Sequence, residues 1–148
     1  MAVQEVLGLD DFSEGVYKAS TALSGGQGNT LDGHCGALSG GTMAISLIHG
    51  RDFAGQEDPE AYLNRMWKSF ALARKLHDRF MEEYGTVICK EIQTKLMGRT
   101  FDTWDVREQQ AILDAGMKCR DVVANAAKWT VEIILDEEEN PTGDWIPT

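Results

Sequence analysis

Three cysteines, Cys35, Cys89 and Cys119, are the residues of this chain best suited to chemistry. A thiol exchanges with disulfides, and its thiolate ligates soft metal ions. The sharpest local setting is Gly33-His34-Cys35-Gly36-Ala37. Cys35 falls at the start of an expected helix, where unpaired N–H groups and the helix dipole favour a thiolate. Gly33 and Gly36 leave room beside it for a partner sulfur, a metal or a bound group, which makes both candidate cofactor-binding positions. His34 adjoins the cysteine and is the histidine placed to act as a ligand or proton relay. Taken one at a time, each cysteine is better read as a buried, inert thiol, and only the local contexts together weaken that reading.

These residues need helices to position them. Asp10-Asp11 caps a first helix over 12–23, with Phe12, Val16, Ala19 and Leu23 at helical spacing. The glycine-rich stretch GGQGNTLDGHCG over 25–36 is a loop. A second helix follows over 36–48, with a face of small residues (Ala37, Gly40, Gly41, Ala44) that lets another backbone come close. Asp58-Pro59 opens a helix that Gly85 closes, and Leu63, Met66, Phe70, Ala73, His77, Phe80 and Tyr84 form its apolar seam. At ~39 Å it serves as the spine of the domain or as a homodimer surface. On that seam His77 reads as a hydrogen-bonded core residue, and His49 as a partner of a helix C-terminus. Helices over 87–97, from Thr103-Trp104-Asp105 to Gly116, and over 117–136 complete the chain. They carry Ile88, Ile92 and Leu96 as apolar positions, then Val106, Ile112 and Leu113 inward, then Cys119, Val122, Val123, Ala126, Trp129, Ile133 and Ile134. No stretch alternates with period two, so the expected fold is all-α, a single-domain bundle of about five to six helices with a glycine-rich loop before the second. The domain covers 1–136. The acidic run from Asp136 to Glu139 is read as solvated, and 137–148 as a loosely ordered tail in which Trp145 and Ile146 are the residues able to dock back.

Composition narrows the function. The chain has 148 residues, is 43% hydrophobic and carries a net charge of −10, which disfavours nucleic acid. No apolar run is long enough for membrane insertion. The N-terminus lacks the pattern of a secretory signal, so the expected location is cytoplasmic. Without a CxxCH sequence covalent haem is not expected, and GGQGNT lacks the ending of a phosphate loop.

The stretch GGQGNTLDGHCGALSGGTMAISLIHG, with Cys35-Gly36-Ala37-Leu38-Ser39-Gly40 as a CGAxxG motif, resembles the redox-active C_GCAxxG_C_C family. TVICKEI, with Cys89, is similar to that family's third cysteine motif, and CRDVVANAAKWTVEIIL, with Cys119, to its fourth. The resemblance spans 7–135. It implies a small helical protein with redox-active motif cysteines. The first family cysteine lies ahead of the segment matching GLDD, where this chain has only MAVQEVL. Three readings of Cys35, Cys89 and Cys119 follow. They bind a metal or iron–sulfur cluster, with His34 among the ligands. They cycle a disulfide as redox thiols. Or they are structural, in a non-catalytic interaction module. The residues name neither a redox partner nor a substrate.

Overall fold

A computed structural model describes residues 2–8, 14–143 and 145. Seven α-helices lie among the described residues: α1 (Ala2–Leu7), α2 (Glu14–Ser20), α3 (Gly36–His49), α4 (Pro59–Tyr84), α5 (Cys89–Met97), α6 (Val106–Asp114) and α7 (Cys119–Glu139). They contain no strand, and the all-α expectation stands. No helix among them is long and apolar enough to cross a membrane.

Local signals set most helix ends. The Asp58 carboxylate accepts the Ala61 N–H at 3.2 Å, Pro59 takes the first position of α4, and Gly85 closes it in the left-handed region at φ 74°. Asp105 caps α6 by accepting the Arg107 N–H at 2.8 Å, and the chain turns away at Gly116, φ 81°. The expected first helix is shorter, α2 followed by a 3-10 turn at Thr21–Leu23; its proposed cap at Asp10-Asp11, and Phe12, lie outside the described residues. An additional helix, α1, precedes it, and its Val3 and Leu7, four residues apart on one face, pack against the core.

The core sits between α3, α4 and α7, where Ile45, Leu72, Leu76, Phe80, Val122 and Ile134 are fully or almost fully buried. Phe80, Tyr84 and Trp129 pack as a group of rings 5.4–6.1 Å apart. The small-residue face of α3 lets α4 and α7 come close. A Cβ on Gly41 would stand 2.5 Å from Thr130 Oγ1 and 2.7 Å from Leu76 Cδ2.

The inward face of α4 corrects the expected seam. Ser69, Leu72, Leu76, Phe80 and Tyr84 face the core, whereas Leu63 and Phe70 are exposed and His77 pairs with Asp78 at 3.1 Å instead of lying among apolar side chains. In α6 only Ile112 is buried; Val106 and Leu113 face outward. The acidic run is not uniformly solvated, because α7 continues through it and turns Glu137 inward. Beyond it the Trp145 N–H donates to Asn64 Oδ1 at 2.9 Å and its ring packs on the core; Ile146 lies outside the described residues.

Candidate functional site

The glycine-rich loop is a run of left-handed backbone. Gly25, Gly26, Gln27, Gly28 and Asn29 have φ of 61°, 72°, 71°, 61° and 56°, and Leu31 follows at 65°. Each non-glycine residue there costs about 1–2 kcal/mol. Hydrogen bonds offset part of that cost: Gly28 N–H to Ala22 O at 2.7 Å, Leu31 N–H to Gly25 O at 2.9 Å, and both the Gly33 N–H and the Thr30 hydroxyl to Gly26 O. Gly26 has no alternative. A Cβ there would lie 2.8 Å from the Leu31 backbone and 3.1 Å from Cys89 Cβ.

The loop ends in an isolated antiparallel bridge, His34 against Ile88. Cys35 N–H donates to Val87 O at 2.8 Å, Cys89 N–H to Gly33 O at 3.0 Å, and Lys90 N–H to Leu31 O at 3.0 Å. Successive side chains of paired extended segments point to opposite faces. Cys35 and Cys89 therefore share one face, and His34 with Ile88 takes the other.

Three helices begin at the three cysteines. Cys35 is the N-cap of α3, Cys89 the first residue of α5 and Cys119 the first of α7. All three line one cavity of about 500 Å³, walled chiefly by small and apolar residues such as Gly40, Ala44, Val123 and Ala126, with Gln93 and Thr103 as polar members. None is in a disulfide. His34, by contrast, is exposed and lines a separate cavity of about 260 Å³ with Gln27 and Ser39, in keeping with its opposite face.

The expected stabilisation of thiolates is present but outweighed. Burial pushes the Cys35 thiol up, against the Ala37 and Leu38 N–H groups that face its sulfur. Cys89 is pushed up to about 11, by burial first and then by the charges of Cys35 and Cys119; the Gln93 amide opposes this. Cys119 is raised by burial and by Cys35. Cys89 and Cys119 both sense the charge of Cys35, and at neutral pH all three rest as thiols.

Gly33 and Gly36 are close to something, but it is the chain itself. A Cβ on Gly33 would meet Gly26 O at 2.6 Å, and one on Gly36 the Ser24 Cα at 3.0 Å, although Gly36 also borders the cavity. Two residues escaped the sequence reading. Gln93 is buried, with Oε1 accepting the Phe101 N–H at 3.2 Å and Nε2 turned to Cys89 Sγ at 3.9 Å. Its position one turn after Cys89 was the available signal. Thr103 Oγ1 is buried without a hydrogen-bond partner at the cavity wall, and nothing local in the sequence announces it.

A metal or cluster requires donors converging on one point, with Zn–S distances of about 2.3 Å. Among the described residues no group of three His, Cys, Asp or Glu side chains is arranged to hold an ion. Three thiols are suitable donors in kind, yet their arrangement does not fit such a centre. Compared with known proteins, residues 1–133 match the sequence model of the family described as "Putative redox-active protein (C_GCAxxG_C_C)". No curated protein and no solved structure matches the chain.

Proposed function

Because the chain belongs to the redox-active C_GCAxxG_C_C family, we propose that it works by reversible thiol–disulfide exchange between Cys35 and Cys89, with Cys119 as a third thiol in the same cavity. The bridge carries this reading, since it supports a common facing for Cys35 and Cys89. Diagonal positions on one face of such a pair lie ~7–8 Å apart. A disulfide needs its Cα atoms within about 4.4–6.8 Å, so closure asks for a shift of ~1–3 Å in the loop.

Exchange balances simply. One thiol loses a proton and attacks a disulfide of the redox partner, giving a mixed disulfide and a partner thiolate. The second thiol, also deprotonated, attacks the bridging sulfur of its neighbour, closing Cys35–Cys89 and releasing the other partner sulfur as a thiolate. Two electrons pass to the partner, and the two protons end on its thiols. Neutral, largely buried thiols are slow to react, and a partner that exposes them further to water supplies the missing activation. A resting dithiol suits the reducing cytoplasm.

The test is to purify the protein without oxygen, analyse it for iron and sulfide, and titrate it in glutathione redox buffers with peptide mapping. A metal-free protein that forms a Cys35–Cys89 disulfide in a two-electron transition is expected. Cys35→Ser or Cys89→Ser should abolish the transition and Cys119→Ser leave it. Stoichiometric iron and sulfide would overturn the exchange reading in favour of a cluster. Thiols that stay reduced across all buffers would return the cysteines to a structural role.

A further inference from the structure

Helix α4 carries two stripes. One faces the core, and the other, formed by Leu63, Trp67, Phe70, Arg74, His77 and Met81, faces outward. Phe70 is 55% exposed and even Trp67 36%, with the two rings packed edge to face at 5.8 Å. The outer stripe steps by four, three, four, three and four residues, the spacing of a coiled-coil seam. Its register is also symmetric about position 72. When two α4 helices pair antiparallel across a two-fold axis, Leu63 meets Met81, Trp67 meets His77 and Phe70 meets Arg74, each contact occurring twice.

The chemistry of the pairs matches their positions. Among the described residues Arg74 makes no hydrogen bond, ion pair or ring contact, which leaves its guanidinium free for an aromatic face. Ala71 and Ala73 flank the symmetry point, so bulk does not hold the helices apart there. Charge favours the same face. The chain carries a net charge of −10, yet α4 holds five basic residues against four acidic ones, so two molecules meet there with less repulsion than the net charge implies.

We propose that this outer stripe is a homodimer interface whose occupant is α4 of a second copy, antiparallel, with Phe70 of each subunit under Arg74 of the other. Sedimentation velocity of the full chain over a micromolar concentration series tests it, with a reductant present so that cysteines cannot link copies. The expected result is a reversible dimer. Arg74→Glu should weaken it ~10-fold or more, by placing a carboxylate on each Phe70 ring. Exchanging the two residues, Phe70→Arg with Arg74→Phe, should restore the dimer, because the same contact re-forms in reverse. Circular dichroism confirms that each variant keeps its helices, since the stripe lies off the core. A wild-type chain that stays monomeric through the series overturns the proposal, and so does a dimer indifferent to Arg74→Glu. A dimer that the exchange fails to restore overturns the antiparallel register. None of these results bears on thiol exchange.

Discussion

Helices α3 and α7 share both of their ends, and the two ends treat buried ionisable groups in opposite ways. At the start, Cys35 and Cys119 border a cavity of about 500 Å³ with Cys89, and burial keeps the thiols protonated. At the finish the buried acid is paired. Glu137, fully buried, takes Lys68 Nζ at 2.9 Å, the Thr142 hydroxyl at 2.9 Å and the Thr142 N–H at 3.2 Å. Burial alone would raise that carboxyl, but the bonds from Lys68 and Thr142 and the lysine's charge outweigh it and hold it below its ordinary range. Nearby, burial and then Lys68 hold the imidazole of His49 below its usual range. One end holds a paired charge, the other is neutral and partly empty. Burial does not decide ionisation by itself; the partners supplied with it do.

Glu137→Gln should have the largest effect on this contrast. Removing the carboxylate leaves the lysine, itself mostly buried, without its partner and should cost about 3 kcal/mol in chemical denaturation. Its folded pKa is lowered from 4.5, so its contribution is whole above that value and lost as pH falls through the folded one. The variant's stability should therefore fall less steeply in acid than that of the wild type. Unaltered stability would mean the finish end is held by packing alone.

The cysteine end should fail in base. The Cys89 thiol is raised from 9.0 to about 11, so its contribution is whole below 9.0 and lost as pH climbs through about 11. At neutral pH its thiolate fraction is roughly 100-fold below that of a free cysteine, and alkylation by iodoacetamide should be slowed at least as much. Rapid labelling of Cys89 in the folded protein would erase the contrast between the ends.

A smaller effect is expected from Gly26→Ala, which brings a methyl against Leu31 and Cys89 in left-handed backbone. A loss of about 2 kcal/mol should appear in thermal melting. The Cys89 alkylation rate should change with it, whereas Gly28→Ala, with open space around the added methyl, should cost less and leave Cys89 unaffected.

Features encoded by neighbouring residues were legible in the sequence. Asp58-Pro59 and Gly85 mark the ends of α4 because capping acts within one turn. On α4 the seam was right at Phe80 and Tyr84 and wrong at Leu63 and Phe70, because both stripes follow the helical period and periodicity cannot tell which one the core selects. Glu137 looked like part of a solvated run because its partner, Lys68, comes from another helix. The grouping of Cys35, Cys89 and Cys119 was legible only through family resemblance, since their spacing follows no local rule. The thiolate expectation placed Cys35 correctly at a helix start and failed on ionisation, because burial is set by α5, α7 and the glycine loop together.

The position of Cys119 at the head of α7 also sets a timetable. A chain made from its N-terminus presents Cys35 first, then Cys89, and Cys119 last of the three. Until α7 docks, the cavity lacks one wall, and water reaches the first two thiols. A newborn molecule thus exposes Cys35 and Cys89 to oxidation in the interval before α7 forms, and their shelter is complete only when α7 packs beside them.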